Sequence, residues 1–280
     1  MQRPEVELVA AEGRHYVRSH DRLHDLIQIT AVDTFSAQTT GAYVLAESYL
    51  YTVEAFQDYF SRLRDDGVLS IGIGDLLYES PDVPTPFSTR LALVAREALR
   101  QLGAENPTDH ILLVGQGLRN PNDQEGLVRG GWIQELMIRK RPFTPEEVAK
   151  VADYVEGLGF DVRLAPDGKP HDAALERIVY APDAELDRVI AEQIFTVAPI
   201  TDDRPFFFNV LRWRELVLDD RVEWTNPGSV TGQLVLLMML LQALVLGGVL
   251  VVLPLARLSS PALPRRATFG FRLSFCLLYT

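Results

Sequence analysis

The sequence predicts an α/β domain followed by a helix that crosses a membrane. Two observations lead to this fold class. Before Trp224, short apolar runs of strand length alternate with amphipathic runs of helix length, which is typical of a sheet with crossover helices. The 33 residues 224–256, in contrast, contain no Asp, Glu, Lys or Arg. A globular region and a strongly apolar region therefore share one chain.

Six short runs within the first region have the composition of strands. They are residues 6–10, 26–29, 68–73, 111–114, 132–138 and 160–164. Helices are predicted around 14–19, 52–63, 88–102 and 183–193, and from Thr144 onward. Thr52 and Thr144 precede these runs as N-caps, and Pro145 suits a first helical turn. The Asp66-Gly67 pair is predicted to separate a helix from the next strand.

Residues 230–258 are predicted to be a transmembrane helix, because their apolar core exceeds the roughly 20 residues that span a bilayer. The alternative is a buried core helix, which seldom stays free of charge over such a length. Trp224 and Arg257 have the chemistry of interfacial anchors. Gln233 and Gln242 are expected to face other transmembrane helices, since an unpaired amide is costly in lipid. Arginines are almost evenly divided between the two flanks, so charge alone does not orient the span.

Composition limits the function classes. The formal charge of -11 and the pI near 5.0 argue against nucleic acid as a partner, because phosphate binding needs clustered Lys and Arg. An acidic domain can, however, attract a polyamine cation. The single cysteine, Cys276, allows no disulfide within the chain. The histidines show no metal-ligand spacing, so no metal site is predicted.

Three stretches resemble spermidine synthase-like proteins, particularly the bacterial forms fused to transmembrane helices. They are AEGRHYVRSHDRLHDLIQITAVDT at 11–34, GAYVLAESYLYTVEAFQDYFSRLRDDGVLSI at 41–71 and TDDRPFFFNVLRW at 201–213. The resemblance implies an incomplete doubly wound sheet of the Rossmann-like class I methyltransferase type. It also implies a donor nucleoside, S-adenosylmethionine or its decarboxylated form, at the carboxyl ends of the strands.

The resemblance also implies roles for two acids. Glu12 takes the position of the acid that reaches the adenine amine, and Asp33 that of the acid that holds the acceptor amine. A turn acid at Glu12 and a helix or turn cap at Asp33 are the alternatives.

Aromatic residues and a carboxylate follow Asp33 in the sequence. Tyr43, Glu47 and Tyr49, with Tyr51, are candidates for clasping an amine by cation–π contact and charge. The alternative is that the tyrosines only cover the edge of the sheet.

Two departures weaken the expectation of catalysis. Thr30 stands where the family has its first acid, and a hydroxyl is no general base near neutral pH. The close glycine pairs, at 72–74 and 115–117, lack the spacing of a nucleotide-binding turn and are predicted to be strand-to-loop turns. We therefore expect an N-terminally truncated sheet that binds its cofactor poorly and is inactive as this fragment.

The predicted domains are a partial α/β domain at 1–198, a linker at 199–229, the membrane helix at 230–258, and a loop with the start of another apolar segment at 259–280. Within the linker, Asp202, Asp203 and Arg204 are predicted to form a salt-bridged corner, with the following phenylalanines packing at the junction with the membrane.

The first functional hypothesis is a membrane-anchored transferase of aminopropyl or methyl groups, in a bacterial inner membrane with its globular domain in the cytoplasm. The second is a non-catalytic module of a multi-helix transporter or scaffold. A methyltransferase with another acceptor is a third.

Overall fold

The computed structural model describes residues 6–30, 32, 46–75, 84–119, 129–210 and 227–254. Side chains are described over the same ranges except at 118–119, 129–130 and 227–236. The chain divides into two compact units, Met1–Gln233 and Leu234–Thr280.

The described part of the first unit is built around a five-stranded sheet with strand order β1-β2-β4-β3-β5. The strands are β1 (His24–Thr30), β2 (Leu63–Asp75), β3 (Ile111–Arg119), β4 (Arg129–Arg139) and β5 (Asp161–Leu164). Five of the six predicted strands are confirmed. The run at 6–10 forms no strand, because extended backbone becomes a strand only beside a hydrogen-bonded neighbour, and none of the described strands pairs with it.

The strand directions differ from those of the doubly wound sheet that the resemblance implies, in which the strands are mostly parallel. β1 and β2 are parallel, whereas β4 is antiparallel to both β2 and β3, and β5 is antiparallel to β3. The reason lies in the connection between β3 and β4, which consists of the nine residues 120–128. A parallel pair needs a crossover of about a dozen residues or more. The architecture is thus α/β and Rossmann-like, with a mixed sheet.

Six α-helices accompany the sheet in the described part of the first unit, together with a 3-10 helix at Pro107–His110. The α-helices are α1 (Gly13–Ser19), α2 (Val53–Ser61), α3 (Pro86–Gln101), α4 (Pro145–Glu156), α5 (Ala173–Val179) and α6 (Asp183–Ala191). The predicted caps are confirmed: Thr52 Oγ1 accepts from Ala55 N at 3.2 Å. Thr144 and Glu147 form a reciprocal capping box. Helix α5 has no counterpart among the predicted elements.

Helices lie on both faces of the sheet. The face with Ile71, Ile73 and Asp75 carries α3, because Ser88 of α3 bonds to Asp75. The opposite face carries α4, whose Val148 packs with Leu112 and Val114 of β3. Alternate residues of a strand point to opposite faces. Burial of these apolar side chains on both faces fixes the sheet between its helices.

Gly67 lies inside β2, whereas the sequence predicted that it separates a helix from the next strand. β2 runs through this position with a bulge, since His24 pairs with Leu63 and Leu26 with Val68. A Cβ on Gly67 would lie 2.9 Å from the carbonyl oxygen of His24. Only glycine therefore lets β1 and β2 approach here.

The glycine pairs at 72–74 and 115–117 also differ from the prediction. Both lie inside paired strands, where Gly72 is opposite Glu135 and Gly115 is opposite Gln134. Neither pair is a strand-to-loop turn. At Gly72 and Gly115, the missing side chain instead lets side chains of the neighbouring strands approach closely.

The start of the predicted linker belongs to the core of the first unit. Phe207 is fully buried and lies 4.5 Å from Tyr51 and 5.9 Å from Phe87 between ring centroids. Arg90 of α3 is also buried and donates to the carbonyl oxygens of Phe206, Phe207, Thr196 and Asn209. One guanidinium thus ties residues 196–209 to the helix. Phe207 and Phe208 therefore pack within the α/β domain, whereas Phe206 is exposed.

Residues Pro227–Gly247 form helix α7, which continues as a π-helical turn at Gly248–Val252. Within the part of the chain that the structure describes, no helix combines the length and the apolarity needed to cross a membrane. The spanning helix at 230–258 stays a prediction of the sequence.

Candidate functional site

The candidate site lies at the edge of the sheet where β1 and β2 end. Because these strands are parallel, their carboxyl ends at Thr30 and Asp75 lie at the same edge. β4 enters from this edge, with Trp132 opposite Asp75. In open α/β sheets, ligands bind outside the carboxyl ends of the strands. Polar side chains occupy both faces at this edge.

On the α4 face, three residues form a row across three strands. Thr30 of β1 is opposite Gly72 of β2, and Gly72 is opposite Glu135 of β4. A Cβ on Gly72 would lie 2.6 Å from Glu135 Oε2, 2.9 Å from Thr30 Cγ2 and 3.3 Å from Thr30 Oγ1. We name the space above Gly72, between these two side chains, the Gly72 slot. It places a carboxylate on one side and a hydroxyl on the other.

Glu135 is half-buried and oriented by a neighbour on β2. The buried Ser70 donates a short hydrogen bond from Oγ to Glu135 Oε1. Burial raises the pKa of Glu135, and the bond from Ser70 opposes this effect. In the described part of the chain, Ser70 is the single hydrogen-bond partner of Glu135. Oε2 therefore remains available toward the slot.

On the α3 face, the same edge carries a buried carboxylate. Asp75 is inaccessible to solvent, and its Oδ2 accepts from Ser88 N at 2.9 Å and Ser88 Oγ at 3.0 Å. Among the described residues, Oδ1 has no hydrogen-bond partner. Burial raises the pKa of Asp75 to about 6, although the Ser88 bonds and the charge of Arg163 act against it.

Arg163 of β5 supports this buried region. It donates to Thr85 Oγ1 at 3.1 Å and to Gln134 Oε1 at 2.7 Å, and it also pairs with Asp172. Its guanidinium carbon lies 4.0 Å from the ring centroid of Trp132, a cation–π contact. The network connects β5, β4 and the start of α3 behind the edge.

A second polar centre joins the three stretches that carry the family resemblance. Buried Arg14 donates to Asp202 through two bonds of 2.7 and 2.9 Å, and to Asp58 at 2.7 Å. It also donates to the carbonyl oxygen of Tyr49 at 3.1 Å, while Thr52 Oγ1 donates to Asp202 at 2.6 Å. Of the three residues predicted to form a salt-bridged corner, Asp202 pairs with Arg14 of α1, whereas Asp203 and Arg204 show no ion pair to the described residues.

The charges of this centre stabilise one another. Burial by itself would lower the pKa of Arg14, but the bonds to Asp202 and Asp58 outweigh it and raise that pKa. The bond from Arg14 is the main cause of the lowered pKa of Asp202. Both groups are therefore ionised at neutral pH.

Glu12 is exposed and caps α1. Its Oε1 accepts from Arg14 N at 3.0 Å and its Oε2 from His15 N at 2.6 Å. Both carboxylate oxygens of Glu12, which the resemblance assigns to the adenine amine, therefore accept hydrogen bonds from backbone N–H groups at the start of α1. A role toward the cofactor stays a prediction of the resemblance.

The glycine-rich turn expected to hold the nucleoside half of the donor is not seen among the described residues. The two close glycine pairs lie within strands, whereas binding of a nucleotide-like group needs a glycine turn at a helix N-terminus. Among the described residues, the element that would hold the nucleoside is therefore not identified. The half-buried carboxylate of Glu135 does lie at the edge where an amine acceptor is expected.

The remaining predicted residues are only partly brought together. Tyr49 Oη donates to Glu47 Oε2 at 2.9 Å, and this bond raises the pKa of Tyr49. Both side chains are exposed, and their role toward an amine stays a prediction. Asp33 and Tyr43 lie outside the described residues, so their predicted roles are untested.

Sequence reasoning missed Glu135, Asp75 and Arg163. A signal existed for the first two. Glu135 is an isolated acid in the apolar strand sequence WIQELMI, and Asp75 directly follows a buried strand. Nothing in the sequence indicated that Arg163 would lie behind Asp75.

Comparisons with known proteins add the following. No protein family and no curated protein matches the sequence. Among solved structures, the chain is similar to a probable spermidine synthase from Corynebacterium glutamicum ATCC 13032, with a TM-score of 0.38 and 13% identity over 64% of this chain. It is also similar to the spermidine synthase from Thermotoga maritima, with a TM-score of 0.29 and 18% identity over 67% of this chain. The chain spans about half the length of these proteins, 53% and 50% respectively.

Proposed function

We propose that the chain is a spermidine synthase-like transferase domain, which transfers an aminopropyl or methyl group from an S-adenosylmethionine-type donor to an amine. The observation that carries the proposal is the meeting of the three resembling stretches at Arg14. This residue of the first stretch bonds to Asp58 of the second and to Asp202 of the third. Their convergence is expected if the stretches belong to one inherited architecture.

Charge supports an amine as the acceptor. The chain carries a formal charge of -11, and the edge where β1 and β2 end presents the half-buried carboxylate of Glu135. Carboxylates bind an ammonium group by charge-assisted hydrogen bonds. A negative field also raises the local concentration of a cation. An anionic acceptor would be repelled from the same edge.

A transfer assay tests the proposal. The full chain is incubated with 1,4-diaminobutane and either S-adenosylmethionine or its decarboxylated form, and the amine products are identified by mass spectrometry. A methylated or an aminopropylated amine with one of the donors would support the transferase and contradict the expectation that this chain alone is inactive. The absence of both products would contradict the transferase function.

A second candidate is a non-catalytic amine-binding module of a membrane transporter or scaffold. Thr30 in place of an acid favours it, as does the capping of α1 by both oxygens of Glu12. Calorimetry separates the candidates. A transferase binds both the amine and the donor nucleoside, whereas the module binds the amine alone.

Membrane attachment through 230–258, with the α/β domain on the cytoplasmic side of a bacterial inner membrane, is part of the proposal. It is supported by the charge-free stretch 224–256. The full chain should remain in the membrane fraction after an alkaline carbonate wash, which strips proteins that are only adsorbed. Release into the wash would contradict the attachment.

A further inference from the structure

We propose that Glu135 binds the cationic amine of the acceptor and supplies the carboxylate that the sequence lacks at Thr30. The inference rests on the proposed function and names a residue for it. Sequence alone gives no reason to connect the two positions, which are 105 residues apart in the numbering. The sheet register places them on either side of Gly72.

The first argument is geometric. Paired residues of neighbouring strands point to the same face, so Thr30 and Glu135 are both directed to the α4 face. The position of an absent Cβ on Gly72 is 2.6 Å from Glu135 Oε2, 2.9 Å from Thr30 Cγ2 and 3.3 Å from Thr30 Oγ1. The two side chains thus close over Gly72 from opposite sides, and an ammonium group that lies on top of them can contact both oxygens.

The second argument concerns the unused hydrogen-bonding capacity of these oxygens. Ser70 holds Oε1 of Glu135, which leaves Oε2 directed at the Gly72 slot. In the ranges that the structure describes, neither Oε2 nor Thr30 Oγ1 has a hydrogen-bond partner, and Glu135 forms no ion pair. A half-buried carboxylate without a cationic partner favours the binding of an external cation.

The third argument identifies the chemical class of the ligand. An ammonium group has three N–H donors and a positive charge, which match a carboxylate oxygen and a hydroxyl oxygen. Mg²⁺ and Ca²⁺ need about six oxygen ligands. The described residues hold no group of three side chains that could ligate a metal. The slot therefore fits a primary amine.

Titration calorimetry on the full chain tests the inference, with 1,4-diaminobutane as the probe and 1,4-butanediol as its uncharged counterpart. Each titration is run with and without 5'-methylthioadenosine, in case a nucleoside must bind first. We expect Glu135→Gln to weaken binding of the diamine roughly 10- to 100-fold, since it removes a charged partner. The matched control is Glu156→Gln, which removes an exposed acid at the end of α4 and should leave the affinity unchanged.

A second variant tests whether the two positions share one site. In the Glu135→Gln background, Thr30→Asp returns a carboxylate to the opposite side of Gly72 and should restore most of the affinity. Circular dichroism of each variant confirms that it folds. Restoration would support the inference, and failure of a folded double variant to bind would overturn the equivalence of the two positions.

The outcomes separate this inference from the proposed function. Diamine binding that does not change in Glu135→Gln would overturn the inference, even if the transfer assay succeeds. Absence of diamine binding by the unchanged chain under both conditions would also overturn it. Binding that depends on Glu135 without any transfer product would support it and contradict the transferase.

Discussion

Arg14 and Asp202 are 188 positions apart and are joined by two hydrogen bonds of 2.7 and 2.9 Å. A guanidinium that meets a carboxylate through two bonds fixes both the distance and the orientation of the groups. The pair thus positions residues 201–210 against α1 and α2. It explains why part of the predicted linker is built into the α/β domain.

Removal of Arg14 is expected to destabilise the domain. Arg14→Met leaves Asp58 and Asp202 without their main cation, and breaking a buried ion pair costs several kcal/mol. Because both carboxylates are partly exposed, we expect a loss of about 2–3 kcal/mol in the free energy of unfolding. Urea denaturation measures it. The exposed Arg188, paired with Glu185 and Glu192, provides the control Arg188→Met, which should change stability by less than about 0.5 kcal/mol.

The stabilisation that the Arg14–Asp202 ion pair provides is expected to depend on pH. Since the pKa of Asp202 is lowered by folding, its stabilisation is complete above the ordinary value of 3.8 and declines as the pH falls below it. The difference between the unchanged chain and Arg14→Met should therefore shrink below about pH 4. An equal difference at pH 3 and pH 7 would contradict this account.

The contacts of Arg90 predict that a lysine, which keeps the charge but not the guanidinium, cannot stabilise the fold in its place. Its two terminal nitrogens bond to four carbonyl oxygens in 196–209. Burial lowers the pKa of Arg90 to about 9, which still leaves it charged at neutral pH. Arg90→Lys keeps a buried charge but has one nitrogen. We expect it to be at least as destabilising as Arg90→Met, by about 2–4 kcal/mol. In thermal denaturation, a lysine variant as stable as the unchanged chain would contradict the prediction.

The raised pKa of Asp75 predicts that the contribution of this residue to the free energy of unfolding falls as the pH rises from about 4 to 6. Its pKa is raised from 3.8 to about 6 in the folded chain. An acid of this kind favours folding when protonated, so its contribution is present at low pH and is lost as the pH rises through this window. Asp75→Asn should therefore be more stable than the unchanged chain at pH 7, by about 2–3 kcal/mol. Near pH 4 the two should be similar.

Denaturant titrations at several pH values measure this difference. The control is Asp187→Asn, which changes an exposed acid on α6 and should show no comparable trend. A constant difference across the pH range would argue against ionisation of Asp75 as the cause.

Substitution by alanine is expected to act differently at two glycines of β2: at Gly67 it should lower stability, and at Gly72 it should mainly lower diamine binding. In Gly67→Ala, the new Cβ meets backbone atoms of His24 and Arg64 at 2.9–3.1 Å. Backbone cannot yield easily, so a loss of about 1–3 kcal/mol is expected. In Gly72→Ala, the new Cβ meets the end of Glu135 at 2.6 Å and the methyl group of the exposed Thr30 at 2.9 Å. Both are side-chain atoms that can turn away, so the loss of stability should be smaller than in Gly67→Ala, about 1 kcal/mol. Diamine binding should fall instead, because the methyl group fills the slot. Loss of stability without loss of binding in Gly72→Ala would contradict this assignment.

Much of the local structure followed from the sequence because its causes are local. Thr52 and Thr144 mark the starts of α2 and α4, since a cap bonds to backbone only three residues away. Five strands were located from short apolar runs, whose burial gives them their pattern. The run at 6–10 failed because a strand also depends on a neighbour that local composition does not specify.

The sequence by itself determined the class of the elements, the acidic charge and the absence of an acid at Thr30. Tertiary structure alone decided that β4 lies antiparallel beside β2, and that Glu135 consequently faces Thr30 across Gly72. The physical reason is that helical and strand periodicity is set by neighbouring residues, whereas register across a sheet is set by pairing between distant segments. Arg14 and Asp202 follow the same rule, because their ion pair exists only once the chain has folded.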